Sequence, residues 1–143
     1  GVKPLALIYA DAVYSTDVGE RRQALRRLGD VALFIAGLFS HSLSRKLVDV
    51  DYYVAMGGSA YGELSSTRMN DSSLAPVYAE LSCKFTDFVE ALAEVGADAN
   101  FSNDSSLLRS YESWLRTGSR RAARHLRRAG IEPSASNISR SRH

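Results

Sequence analysis

Val31-Ala32-Leu33-Phe34-Ile35-Ala36-Gly37-Leu38-Phe39 is the stretch on which the fold turns. These 9 residues carry no polar side chain. Around them the apolar positions Leu25, Leu28, Ala32, Ile35, Phe39, Leu43 and Leu47 advance by three and four residues, the period of a helix. A helix that is apolar on every side sits in the middle of a fold, surrounded by others. The run is well short of the ~18 apolar residues that cross a bilayer. Val31–Phe39 is therefore expected to be the central helix of an all-α bundle.

On its N-terminal side, Ser15, Thr16 and Asp17 offer cap oxygens, with Glu20 three residues after Asp17. The helix they start would run about 30 residues, or ~45 Å. Gly29–Asp30 is a point where it could split, Asp30 capping the second half. Further upstream, Pro4 suits the first turn of a helix to Tyr14, striped by Leu5, Ile8, Tyr9 and Ala12.

Toward the C-terminus, a helix is expected from near Asp49 or Asp51 to about Thr67, striped by Tyr53, Met56, Ala60 and Leu64. Gly57 and Gly58 lie inside it, where each costs ~1 kcal/mol against Ala. Close approach of another helix backbone would offset that cost. After a loop from Met69 to Ser73, Pro76 opens a helix with the seam Val77, Leu81, Phe85, Phe88, Leu92 and Val95. Its other face holds Glu80, Cys83, Asp87, Glu90 and Glu94, and Gly96 is expected to end it.

Asn103–Asp104 then caps a helix with Leu107, Leu108, Tyr111, Trp114 and Leu115 inward, stopped by Thr117–Gly118. Ser119 caps a short helix carrying Ala122, Ala123, Leu126 and Ala129. Gly130-Ile131 reads as a Schellman stop. The whole is a single-domain bundle of about six helices over residues 1–131, with a flexible tail over 132–143 rich in Ser, Asn and Arg. Asn-Asp-Ser-Ser-Leu occurs at 70–74 and again at 103–107. Reused cap chemistry explains it more simply than a duplicated hairpin.

The net charge of +2 conceals a polarity. Residues 1–108 hold 9 basic and 14 acidic side chains, whereas residues 109–143 hold 9 arginines against Glu112 and Glu132. One cysteine, Cys83, excludes an internal disulfide and a cysteine-based zinc site. No signal peptide is visible, and the apolar opening Leu5–Ala10 suggests a trimmed or missing N-terminal segment.

Catalytic signatures are absent: there is no nucleophile elbow, no phosphate loop and no HExxH. Gly57-Gly58-Ser59-Ala60-Tyr61-Gly62 lacks the Lys-Ser/Thr pair of a phosphate loop and reads as packing glycines. Asp49 and Asp51 read as helix-start carboxylates, and His41, His125 and His143 share no ligand spacing, so neither metal nor cofactor is expected. Cys83 lies among carboxylates that disfavour its thiolate.

Two surfaces stand out. Tyr52, Tyr53, Met56 and Tyr61 form a candidate partner-binding cluster, Tyr53 and Met56 also belonging to the core stripe. The acidic residues Glu80, Asp87, Glu90 and Glu94 are a second interaction candidate. Opposite them in sign, Arg120, Arg121, Arg124, Arg127 and Arg128 cover one side of the last helix. Residues 114–131 also faintly follow a helix-turn-helix pattern, but a Pro/Ser tail follows where the recognition helix belongs.

Leu47 to Tyr61, with its Asp51-Tyr52-Tyr53-Val54-Ala55-Met56-Gly57 run, resembles a group of uncharacterised small helical bacterial proteins, as do Arg27–Phe34 and Ser113–Ser119. The resemblance spans Lys3 to Pro133. It implies a bacterial, cytoplasmic, all-α protein and supplies no catalytic residue.

The reading favoured is a non-enzymatic interaction or regulatory module, binding a protein partner or a second copy of itself as a homodimer. One alternative is nucleic-acid binding through the basic helix and tail. Another is a small-ligand binder or helical enzyme with a pocket under the central helix, lined by Tyr53, Asp51 and His41.

Overall fold

The computed structural model describes residues 10, 14, 17–40, 50–66, 73–99 and 105–133. Among them are six helices and no strand. They are α1 (Val18–Leu38), α2 (Val50–Leu64), α3 (Ala75–Cys83), α4 (Phe85–Asp98), α5 (Ser105–Thr117) and α6 (Arg120–Arg128). The fold is all-α, as expected. Its contacts group the chain into two compact units, residues 1–103 and 104–143.

In the first unit, Asp17 caps α1, its Oδ1 accepting from the Gly19 N–H at 3.0 Å. The helix does not split at Gly29–Asp30. It runs straight through to Leu38. Asp30 has a different task, described below. Of the nine residues in the apolar run, seven are buried, with Leu33 and Phe34 half-buried. The run is thus covered by α2 and α4, both packed on α1.

Glycine sets how closely these helices approach. A Cβ on Gly29 would sit 2.6 Å from the Tyr61 ring of α2. One on Gly57 would meet the Phe85 ring and the Ala32 methyl. Gly37 leaves room for Leu92 in the same way. Gly57 thus has the packing reason expected of it, but the neighbours are side chains. The true backbone contact is elsewhere. A Cβ on Gly96 would lie 2.6 Å from the Leu38 carbonyl oxygen. Gly96 does not end its helix, which continues to Asp98.

The helix expected from Pro76 to Val95 as one piece is two. Pro76 does stand in the first turn of α3, but the chain turns at Lys84, whose φ of −109° and ψ of 26° leave the helical region. Each half then has its own neighbour: α3 packs against α2, and α4 against α1. The expected continuous seam therefore fails. Val77 is 50% exposed and Val95 54%, while Phe85, Val89 and Gly96 are the buried residues of α4.

In the second unit, α5 and α6 form a helical hairpin joined by Gly118 and Ser119. Its stop at Gly118, its Ser119 cap and its inward residues are those the sequence suggests, except that Ala129 is a half-buried cap, and the expected Asn103–Asp104 cap lies outside the described residues. Leu107, Leu108, Tyr111, Trp114 and Leu115 are buried on α5, and Ala122, Ala123 and Leu126 on α6. Gly118 has φ of +69°, a region glycine enters without a Cβ penalty, and its N–H bonds the Trp114 carbonyl at 2.8 Å. Pro133 is buried, so packing extends beyond Ile131. The expected N-terminal helix and the tail beyond 133 fall largely or wholly outside the described residues.

Candidate polyanion-binding groove

The hairpin has a second face. Ser106, Arg109, Ser110 and Ser113 stand at i, i+3, i+4 and i+7 on α5. Arg121, Arg124, His125 and Arg128 repeat that spacing on α6. Residues so spaced share one helix face. The two stripes line one groove of about 550 Å³, with Ser119 and Ala122 at its side.

Local chemistry fixes the walls. Ser119 Oγ accepts from the Ala122 N–H at 3.1 Å and starts α6. At the other end the Ile131 N–H bonds the Leu126 carbonyl at 2.9 Å and the Gly130 N–H bonds the Arg127 carbonyl at 3.0 Å. With Gly130 at φ +91° and Ile131 buried, this is a Schellman closure. Arg127 Nε bonds Glu132 Oε2 at 3.3 Å on an exposed flank of the hairpin. Across the groove Ser110 Oγ and His125 Nδ1 are 2.7 Å apart, tying α5 to α6.

Four guanidinium groups and an imidazole therefore share a concave surface with four serine hydroxyls, and no lining residue is acidic. Guanidinium forks and hydroxyls suit phosphate oxygens. The sequence singled out the arginines of α6 but not the α5 stripe. Of the five α6 arginines, Arg121, Arg124 and Arg128 line the groove, and Arg120 and Arg127 do not. His125 is more than a bystander among them. The signal that identifies the α5 stripe is polar periodicity, Ser106-Arg109-Ser110-Ser113 matching the later stripe position for position.

The other candidates sit in the first unit. The four residues of the Tyr/Met cluster are not gathered into one surface. Tyr53 is 4% exposed and Tyr61 1%, so both belong to the interior. Tyr52 packs edge-on against Tyr53 with centroids 5.1 Å apart, and partial burial pushes its hydroxyl up from the usual range. Met56 is half-buried. Tyr61 instead stacks on Tyr78 and donates from its hydroxyl to Asp30 Oδ1 at 2.7 Å. Burial first, and the Asp30 carboxylate second, push the Tyr61 phenol far above its usual range. Asp30 also lies 3.7 Å from Arg26 Nε.

The acidic residues are exposed, but the turn at Lys84 divides them. Glu80 is on α3, where it pairs with Lys84 Nζ at 3.1 Å. Asp87, Glu90 and Glu94 form a stripe on α4 at i, i+3 and i+7. Cys83 is exposed. Asp51 is exposed, and His41 lies outside the described residues. Among the described residues no three His, Cys, Asp or Glu side chains are placed to hold a metal ion. No helix among them is long and apolar enough to cross a membrane.

Compared with protein-family models, with curated proteins and with solved structures, the chain matches none.

Proposed function

We propose that this chain is a non-enzymatic binding module whose α5–α6 groove takes the phosphodiester backbone of a nucleic acid. One observation carries the reading. Arg109, Arg121, Arg124 and Arg128 line one groove together with four serines, and no residue of that lining is acidic. From Arg121 to Arg128 the helix rises ~10.5 Å. A duplex strand carries one phosphate per ~3.4 Å of axis, so the stripe spans about three phosphate-to-phosphate steps.

Fluorescence anisotropy on a labelled random-sequence duplex tests this. Binding is expected at ~50 mM salt and should weaken with a log–log slope no steeper than about −3.6, the value for four neutralised phosphates. Arg124→Ala and Arg128→Ala should each flatten that slope by about 1. A wild-type chain that leaves the duplex unbound at ~50 mM salt sinks the proposal.

A protein partner or a second copy is favoured by a different observation. Asp87, Glu90 and Glu94 on α4 have the same i, i+3, i+7 spacing as Arg121, Arg124 and Arg128 on α6. The acidic stripe of one molecule therefore matches the basic stripe of another in charge and in rise. Half-buried Tyr52 and Met56 are the remaining contacts of the α2 cluster open to such a partner. Sedimentation at low salt tests self-association. The wild type should associate and the Glu90→Lys, Glu94→Lys double variant should not. A wild type that stays monomeric removes the second-copy form of this reading.

A further inference from the structure

A hydrogen bond between Ser110 and His125 crosses the groove from one stripe to the other. Its Oγ and Nδ1 are 2.7 Å apart, and both residues line the groove. A hydroxyl can donate or accept. A neutral ring with its hydrogen on Nε2 accepts the Ser110 proton at Nδ1. A charged ring donates from Nδ1 to a lone pair of Ser110 Oγ. Ser110 therefore holds His125 in place in both protonation states without breaking the bond.

The charged groups that line the groove with His125 are Arg109 from α5 and Arg121, Arg124 and Arg128 from α6, all cationic. Ser106 and Ser113 of α5 and Ser119 beside them are neutral. A phosphate entering among them supplies an acceptor for an imidazolium. Proton and polyanion then favour each other by the same factor, since linkage is reciprocal.

We infer that His125 is a proton-gated phosphate contact: it binds the backbone as an imidazolium, held by Ser110, and takes up its proton as the groove fills. This rests on the nucleic-acid reading above and adds to it a pH dependence that four arginines alone do not give. Guanidinium groups keep their charge at every physiological pH. Of the side-chain types that line the groove, imidazole is the one that can change its charge between about pH 5 and pH 8.

The test measures duplex affinity at fixed ionic strength from about pH 8 down to about pH 5.5, for wild type and His125→Gln. Glutamine keeps a neutral polar side chain at the position. Each protein is compared with its own affinity at the alkaline end. As pH falls, wild-type affinity should rise roughly 5- to 10-fold and the variant should stay flat. An equal rise in both overturns the inference and leaves the groove reading in place. Loss of all binding by the wild type at the alkaline end and low salt overturns both. Calorimetry of the wild type in two buffers of different ionisation enthalpy gives a second measure that needs no variant. Net proton uptake on duplex binding near pH 6.5 supports the inference, and zero uptake overturns it.

Discussion

The α1–α4 unit and the α5–α6 hairpin hold their helices by different means. In the hairpin, three helix ends have local devices of their own. Ser119 Oγ starts α6, Gly118 closes α5, and Gly130 with Ile131 closes α6. Its core is large side chains, with Leu108 and Leu126 at 0% exposure. In the α1–α4 unit the decisive features are missing side chains. Gly29, Gly37, Gly57 and Gly96 each leave space for a group from another helix. The first design spends its polar face on charge. The second spends small residues on closeness.

The sharpest way to break that comparison is to truncate the hairpin core. Leu126→Ala should cost about 2–5 kcal/mol, the range for a fully buried leucine. Trp114 is the chain's one tryptophan and is buried in α5, so its fluorescence reports this unit directly. A urea midpoint read from Trp114 that does not move would mean the hairpin does not rest on this contact.

Adding a methyl group probes the other unit. Gly96→Ala should cost about 1–3 kcal/mol, at the upper end because the obstructing atoms are the Leu38 backbone and cannot rotate away. Far-UV circular dichroism during urea unfolding measures it. An unchanged midpoint would show that α1 and α4 can separate without loss, and the close-approach account of this unit would fail.

Legibility followed the same division. Caps and stops are local chemistry, so Ser119, Gly118 and Gly130-Ile131 could be read from adjacent residues. The buried residues of α5 followed from periodicity alone. The α3–α4 boundary could not be read this way. Nothing near Lys84 is a breaker, and a continuous seam from Val77 to Val95 satisfies the helical period. What divides the segment is that α3 has α2 as its neighbour and α4 has α1, a tertiary fact. Asp30 went the same way. Beside Gly29 it resembles a cap, but its partner is Tyr61, 31 residues along the chain. Of the groove, the α6 arginines were plain from charge, whereas the α5 serines became meaningful only when the hairpin brought the stripes together.

A smaller effect is expected at that long-range pair. Tyr61→Phe removes the hydroxyl that donates to Asp30 and should cost about 1 kcal/mol near neutral pH. The sign with pH is fixed by the direction of the shift. Because folding raises the Tyr61 phenol above its unfolded value of ~10, its contribution is full below that pH and is lost as pH rises beyond it. The wild type should therefore lose stability on going alkaline, and the variant should lose less. Parallel alkaline curves would place the loss elsewhere.

The smallest effect separates two neighbours with the same side chain. Gly57 and Gly58 are adjacent in α2, and composition cannot tell them apart. Both carry the ~1 kcal/mol helix cost of glycine relative to alanine. At Gly57 a methyl group would meet the Phe85 ring and Ala32, so alanine there should destabilise despite its better propensity. At Gly58 nothing lies within 4 Å of the added carbon. The Ser82 hydroxyl donates to the Gly58 carbonyl at 2.8 Å, and alanine keeps that carbonyl. Gly58→Ala should therefore stabilise the chain by about 0.5–1 kcal/mol, read as a rise in the urea midpoint at unchanged slope. Two alanine variants that lose stability equally would mean that propensity and packing do not divide between these residues as the geometry requires.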